Sequence, residues 1–370
     1  MVKIKHLAIV TGMGLTGIGS GVMTPANALT FNFTPAAGTS QQAIDGFKAA
    51  GDRWSAIFND NITVNINIDF AALGGNTLAQ AGSYSQDFSY TQVYNALNSD
   101  RTSAADNAAV YSLSSNGAFK MLTNYTTDNP NGSGSAVAYL DADSSANNSN
   151  VRVNTANAKA LGLIGNGGTD ANISFNTQYL WDFDGSNGID TTSFDFVGIA
   201  AHEIGHAMGF VSGVDTLDYN RGGYSGDALR HTTLDLFRYS TESTSSGAND
   251  FTADNRDKYF SLDGGTTAIA LFSNGANTSD GYQASHWKDN LGLGVMDPTS
   301  GRGELLQIVE NDKVAFDAIG WNRVESIKIP EPADCLGTFV FAAFGIKMVV
   351  NRRKRLAEVA TESERDLEAK

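Results

Sequence analysis

The chain has 370 residues and a formal net charge of −15 at pH 7. No basic patch of the kind that binds nucleic acid occurs outside the two termini, so nucleic acid is excluded as a partner and the acidity favours solubility. The only cysteine, Cys335, lies near the C-terminus, which excludes an internal disulfide. The fold must therefore be stabilised by a buried core, with a bound metal ion as a further source of stability.

The N-terminus has the pattern of a secretory signal peptide. Lys3 and Lys5 give it a basic start, residues 7–23 are apolar and rich in glycine, and Ala26 and Ala28 offer a small-residue cleavage site. The apolar stretch is too short and too rich in glycine for a membrane anchor. We therefore expect cleavage after residue 28 and export of the protein.

The segment between the termini predicts a mixture of helices and strands. Residues 41–58 carry apolar side chains at helical spacing, whereas residues 64–70 alternate apolar and polar side chains as a half-buried strand does. The remaining predictions follow in chain order: a short helix at 90–98, mostly loop over 100–150, a strand within 173–183, a helix over 194–210 and a strand pair within 259–272. No fixed-period repeat occurs, so a solenoid or propeller is unexpected.

The strongest chemical pattern is His202, Glu203 and His206 within the predicted helix. Residues four apart on a helix differ by about 40° around its axis, so both imidazoles project from one face and can bind one zinc ion. Zinc lowers the pKa of a bound water towards about 7, and a neighbouring carboxylate can accept the proton as the water attacks a peptide carbonyl. Gly209 follows at a position where the helix can end in a left-handed turn. The pattern predicts a zinc hydrolase with Glu203 as general base.

A catalytic zinc site needs a third protein ligand. In the compact metzincin pattern this ligand stands at position 212, which is Ser212 here, and His6 is lost with the signal peptide. The remaining candidates are two histidines and three carboxylates: His231, His286, Asp215, Glu304 and Glu310. A surface position is the simpler interpretation for His231.

A second pattern follows far along the chain, where His286 is followed by Trp287 and then by Met296 in a short turn sequence. Together with residues 202–210, residues 285–298 resemble the leishmanolysin-like branch of the metzincin zinc peptidases, in which a long insertion precedes the third histidine. The resemblance implies that His286 is the third zinc ligand and that Met296 forms the methionine turn beneath the metal. An ordinary core methionine is the alternative for Met296.

The same resemblance implies an α+β metzincin-like domain with a mixed sheet and an active-site helix. It would have an N-terminal lobe over residues 29–211 and a C-terminal lobe over residues 212–325, the latter closed by a helix similar to residues 312–321. The implied activity is endopeptidase cleavage of protein or peptide substrates, with the substrate extended along an edge strand within residues 173–183. Two alternatives remain: a surface or matrix protein that keeps the zinc fold without catalysis, and a metal hydrolase that acts on a non-peptide bond.

A loop before the predicted active-site helix carries Asp182, Asp184 and Asp190 among glycines. Acidic oxygens at such spacing are typical of hard-cation loops, so a calcium site is a second metal hypothesis. A solvated turn between a strand and a helix explains the same residues.

The C-terminal segment, residues 326–355, has an apolar stretch at 333–350 that would span about 27 Å as a helix, followed by a basic cluster. This order resembles the PEP-CTERM sorting signal. The resemblance implies recognition by an exosortase, transient membrane contact through 333–350, and a surface or extracellular location in a Gram-negative bacterium. A plain membrane anchor is the alternative, and residues 356–370 form a charged tail.

Overall fold

The computed structural model describes residues 28–324. The predicted sorting segment at 326–355, the charged tail and all but the last residue of the predicted signal peptide lie outside the described residues. Within 28–324, no helix is both long enough and apolar enough to span a bilayer.

Helices and strands are interspersed along the described chain, and its sheets contain parallel and antiparallel pairs, which confirms an α+β class with mixed sheets. The helices are α1 (Gln41–Ser55), α2 (Tyr90–Asp100), α3 (Ala104–Ser112), α4 (Ala146–Ser149), α5 (Thr155–Ala160), α6 (Phe196–Met208), α7 (Val214–Tyr219), α8 (Thr241–Ser245) and α9 (Glu310–Ala318). The strands are β1 (Thr30–Pro35), β2 (Thr63–Ala71), β3 (Ala79–Ser83), β4 (Ser85–Ser89), β5 (Met121–Thr123), β6 (Tyr139–Asp141), β7 (Asn150–Asn154), β8 (Ala171–Asn176), β9 (Trp181–Asp182), β10 (Phe194–Asp195), β11 (His231–Thr232), β12 (Arg238–Tyr239), β13 (Asn249–Phe251), β14 (Lys258–Phe260) and β15 (Ala270–Phe272).

The largest sheet has the strand order β1, β2, β8, β3, in which the first three strands are parallel and β3 is antiparallel to β8. Along β2, Val64, Ile66 and Ile68 are buried, whereas Asn65 and Asn67 point to the opposite, more open face. The predicted strand with one buried face is therefore confirmed. Its apolar face needs a second layer to cover it.

Helices α1 and α6 belong to the core that this face forms. Phe47 of α1 and Phe196 of α6 meet edge to face with ring centroids 5.2 Å apart, and the Trp54 indole donates a hydrogen bond to the Ala201 carbonyl at 2.9 Å. Each fully buried aromatic side chain of this kind contributes roughly 1.5–3 kcal/mol through burial. The contacts fix α6 against α1, and so fix the helix that carries the histidine pattern.

Smaller sheets join segments that are distant in the chain. Strand β11 pairs with β7 and β13 pairs with β5, so strands from both sides of the predicted lobe boundary at residue 211 share sheets. Strands β14 and β15 pair antiparallel, which confirms the predicted strand pair. The closing helix is α9, which starts two residues before the predicted segment.

Two predictions need correction in part. Residues 100–150 are mostly loop, as predicted, but they also contain a helix, Ala104–Ser112, whose first turn is capped reciprocally by Ser103 and Asp106. The edge strand expected within 173–183 is not β8, which is hydrogen-bonded on both sides, by β2 and by β3. The other strand in this span, β9, has only two residues and pairs with β10 alone. The two edges of this sheet are β1 and β3, Ala79–Ser83.

Candidate metal centre and cleft

Helix α6 carries the histidine pattern and has a defined start and end. The Asp195 side chain caps its N-terminus by accepting a hydrogen bond from the Gly198 amide at 2.8 Å. The helix ends after Met208, where Gly209 has a φ of 121° that disfavours residues with a Cβ atom. This termination confirms the turn predicted at Gly209, and it leaves the Phe210 carbonyl close to the second histidine.

Each of three imidazoles has its Nδ1 atom close to a backbone carbonyl. The pairs are His202 with Val295 at 2.7 Å, His206 with Phe210 at 2.7 Å, and His286 with Gln283 at 3.3 Å. Because a carbonyl oxygen only accepts hydrogen bonds, Nδ1 carries the proton in each neutral ring. All three Nε2 atoms are then left with a free lone pair.

The three Nε2 atoms converge on one point. Nε2 of His206 lies 3.1 Å from Nε2 of His202 and 3.1 Å from Nε2 of His286. Burial lowers the pKa of all three imidazoles, that of His206 to about 3, so the rings are neutral at pH 7. Tetrahedral zinc with Zn–N bonds of about 2.0–2.1 Å separates its ligand nitrogens by roughly 3.3 Å, so this donor set fits zinc.

His286 is brought to α6 by a chain of hydrogen bonds around Ser285. The Asp215 carboxylate accepts from the Ala284 amide at 2.6 Å and from the Ser285 hydroxyl. The Ser285 hydroxyl oxygen in turn accepts from the Ser212 amide at 2.8 Å. Asp215, a candidate ligand from sequence, therefore supports the segment before His286 and is not part of the histidine cluster. Burial raises the pKa of Asp215 to about 6.

Met296 is fully buried and packs directly against the middle of α6. A Cβ atom built on Gly205 would lie 2.5 Å from the Met296 sulfur, well inside van der Waals contact. Only glycine therefore allows the helix and the turn to approach this closely. The contact places the turn beneath the histidines and brings the Val295 carbonyl to His202.

Asp312 of α9 ties the histidine segment to this turn, a role that no sequence pattern had indicated. Its carboxylate accepts four hydrogen bonds, from the Trp287 indole at 2.9 Å and from the amides of Val295, Met296 and Val309 at 2.9, 3.4 and 2.8 Å. Burial raises the pKa of Asp312. These four hydrogen bonds to one carboxylate fix the position of the segment that carries His286 relative to the turn that carries Met296.

Glu203 lies beside the first histidine on α6 and is almost fully buried, with 5% of its surface exposed. No hydrogen bond to its carboxylate occurs within residues 28–324, and the side chain lines the cleft. Burial raises the pKa of Glu203 to about 8. A dication bound at the three histidines would act in the opposite direction and favour the ionised form.

The histidine cluster lies in a cleft of about 1150 Å³. One wall is the whole of β3, whose outer edge pairs with no other strand of the described chain. The opposite walls come from the segments around Ser212, Leu229 and Pro298. An extended peptide can therefore pair with β3 and pass the three histidines.

The other candidate ligands lie outside the histidine cluster. His231 is 1% exposed between the rings of Phe119 and Phe251, with centroid distances of 4.6 and 4.3 Å, so the surface position expected for it is wrong. Glu310 forms an ion pair with Arg323 at 2.7 Å. Glu304, the remaining carboxylate candidate, accepts from the Gly301 amide within its own loop.

The predicted calcium loop does not gather its carboxylates. Asp182 accepts from the amides of Asp184 and Asp190 at 2.9 Å each, and Asp190 accepts from Thr192. In the part of the chain that the structure describes, the only group of three or more His, Cys, Asp or Glu residues close enough to hold one ion is the histidine cluster. The loop therefore has the hydrogen bonding of a turn.

Comparisons of the chain with protein-family models, with characterised proteins and with solved structures find no match. The function of the site must therefore be inferred from its own residues. The decisive features are the three converging nitrogens, the adjacent carboxylate and the open strand edge.

Proposed function

We propose that the protein is an exported zinc-dependent endopeptidase of the metzincin type. The observation that carries the proposal is the convergence of His202, His206 and His286 through their Nε2 atoms, beside the Glu203 carboxylate, in a cleft bordered by a free strand edge. Three neutral imidazoles with one side open to solvent are typical of catalytic rather than structural zinc sites. A structural site would have no use for a carboxylate without hydrogen-bond partners.

Each residue has a separate role in this proposal. His202, His206 and His286 would hold the ion, and the carbonyl partners of their Nδ1 atoms fix the tautomer that this requires. A bound zinc ion supplies Lewis acidity, which activates water and polarises a carbonyl. Glu203 accepts a proton at its carboxylate and returns it to the leaving amine. Strand β3 orients the substrate by backbone hydrogen bonding.

The resemblance at Met296 extends this proposal to the leishmanolysin-like branch. The close approach of Met296 to Gly205 supports a methionine turn beneath the histidines, and the histidine cluster supports His286 as third ligand. Export and surface sorting remain part of the proposal and depend on the two terminal segments. They are tested by locating the protein in cell fractions and by sequencing the N-terminus of its mature form.

The first experiment compares the purified protein with its Glu203→Gln variant. Metal content is measured by mass spectrometry, and cleavage is measured on casein. We expect the variant to keep one zinc ion per chain and to lose at least about a hundredfold in kcat, the range expected for loss of a general base. A variant that cleaves as fast as the wild type would refute the assigned role.

A second comparison tests the ligand set. His286→Ala should lose both zinc and cleavage, whereas His231→Phe, which replaces a buried ring by another ring, should retain both. Circular dichroism spectra control for folding. Parallel assays on ester substrates distinguish a peptidase from a hydrolase of another bond, and zinc retention without any cleavage would favour the non-catalytic alternative.

A further inference from the structure

One end of the cleft carries two arginines. Arg152 and Arg230 are the only lysine or arginine side chains among the cleft-lining residues of the described chain. Both bind Asp87, with nitrogen–oxygen distances of 2.8 Å for Arg152 and 3.1 Å for Arg230. Asp87 itself is not among the cleft-lining residues, so its carboxylate supports the two arginines from outside the cleft.

This cluster has a net positive charge. Burial alone would raise the pKa of Asp87, but the hydrogen bonds and charges of Arg152 and Arg230 outweigh it and lower the pKa, so Asp87 is ionised. Two guanidinium groups and one carboxylate leave one uncompensated positive charge. This local positive charge contrasts with the formal net charge of the whole chain, which is −15.

Both arginines also have unused hydrogen-bond donors. Arg152 uses Nε and Nη2 on Asp87, and Arg230 uses Nε on Asp87 and Nη1 on the carbonyls of Asp227 and Leu229. Within residues 28–324, Nη1 of Arg152 and Nη2 of Arg230 have no hydrogen-bond partner. Two preoriented donors of this kind suit a carboxylate.

The position of the arginines along the cleft follows from β7. Asn154 of this strand donates to the His206 carbonyl at 2.9 Å, and Arg152 precedes it by two residues, which corresponds to about 7 Å. Strand β3 runs towards this end, from Ala79 to Ser83. A peptide added antiparallel to β3 therefore has its N-terminal part near the arginines, about two to four residues before the bond at the histidines.

We infer that Arg152 and Arg230 select substrates with an acidic side chain two to four residues before the cleaved bond. This inference rests on the proposed peptidase function and adds a substrate class to it. Because both side chains are partly exposed to solvent, the effect is modest: about three- to tenfold in kcat/KM, mainly through KM, and smaller at high salt.

The test uses fluorogenic peptides that differ only in carrying Glu, Gln or Lys at a position two, three or four residues before the cleaved bond, with a parallel set after it. We expect the ratio of kcat/KM for Glu over Lys to exceed three at one of the earlier positions. The ratio should approach one in Arg152→Gln, which leaves the cluster with no net charge. It should reverse in Arg152→Gln/Arg230→Gln and in Arg152→Glu, which both leave a net charge of −1 through Asp87. Arg101→Gln, which removes a charge outside the cleft, should leave the ratio unchanged.

Binding of the same peptides to the Glu203→Gln protein, measured by fluorescence anisotropy, separates this inference from the proposed function. If no peptide is cleaved by the wild type but the Glu peptide binds more tightly, the peptidase proposal fails and the acidic preference stands. Equal cleavage and equal binding of the three peptides would overturn the preference. A Glu preference only after the cleaved bond would overturn it as well, because the peptide would then run in the other direction.

Discussion

The close contact between Gly205 and Met296 allows a direct test of how the fold supports the candidate metal centre. In a Gly205→Ala variant the new methyl carbon would lie 2.5 Å from the Met296 sulfur and 3.4 Å from a ring carbon of Phe316. Comfortable separations are about 3.5–4.0 Å, so the sulfur must move by more than about 1 Å. Met296 is fully buried, and its movement displaces its neighbours.

Two opposing effects determine the size of the change. Overpacking of a well-filled core costs about 1–3 kcal/mol, whereas Gly→Ala inside a helix gains about 1 kcal/mol through helix propensity. We therefore expect Gly205→Ala to lower the free energy of unfolding by up to about 2 kcal/mol. In a Met296→Ala background the obstacle is gone, and the same substitution should raise it by up to about 1 kcal/mol.

The assay is urea denaturation of the four proteins of this double-mutant cycle, with a chelator present so that metal affinity does not contribute. The expected coupling energy between positions 205 and 296 is about 1–3 kcal/mol. Zinc affinity, measured separately by chelator competition, should fall by about ten- to a hundredfold in Gly205→Ala, because the turn also carries the carbonyl that orients His202. Gly205→Ala effects of equal sign and size in both backgrounds would refute the packing argument.

Two further predictions concern buried carboxylates. Asp312→Asn replaces one of the two accepting oxygens by a donor, so at least one of the four donors facing it loses its partner. Each lost partner should lower the free energy of unfolding by about 1–3 kcal/mol. Urea denaturation and zinc affinity should both show the loss, and unchanged values would contradict the role assigned to Asp312. Burial raises the pKa of Asp100 and of Asp317 from 3.8 to about 7, so the stability linked to their protonation is complete below pH 3.8 and is lost as the pH rises through 7. The urea midpoint should therefore fall between pH 5 and pH 8, and Asp100→Asn/Asp317→Asn should make that fall smaller; an unaltered pH profile would count against this reasoning.

The elements predicted well from sequence are those with a complete local pattern. Apolar spacing over residues 41–58 and alternation over residues 64–70 each correspond to an element whose core face is set by its own side chains. The histidines of α6 share a face for the same reason. Helix α3 was missed because Ser and Asn dominate its surroundings, although Ser103 followed by Asp106 was a usable capping signal.

The edge strand could not be identified because strand order depends on long-range pairing. Residues 79–83 contain no β-branched or aromatic side chain, and their strand conformation comes from backbone pairing with β8. Residues 171–176 have the stronger strand pattern and so take an interior position. A sequence pattern of this kind therefore identifies strands by burial and is least informative at an edge, where a substrate would bind.

The buried position of His231 could not be predicted from the neighbouring sequence either. Its imidazole is buried against Phe119 and Phe251, which come from a separate segment and a later strand, and its Nε2 atom has no partner in the described chain. Nothing near His231 in the sequence indicates these contacts. By contrast, His286 has Trp287 beside it, and the indole bond to Asp312 explains why a tryptophan at that position helps to fix the histidine.

The hydrogen bond from the Ser212 amide to the Ser285 hydroxyl explains how a long intervening segment is compatible with a compact histidine cluster. It joins two residues that are 73 positions apart, at the point where the chain leaves α6 and where it returns with His286. Loop closure becomes only about 0.6 kcal/mol more costly for each doubling of length, so a long segment held at its base adds little strain to the centre. The same segment contributes Arg230 to the cleft wall. Changes within it can therefore alter the residues that meet a substrate while the three imidazoles and Glu203 keep their geometry.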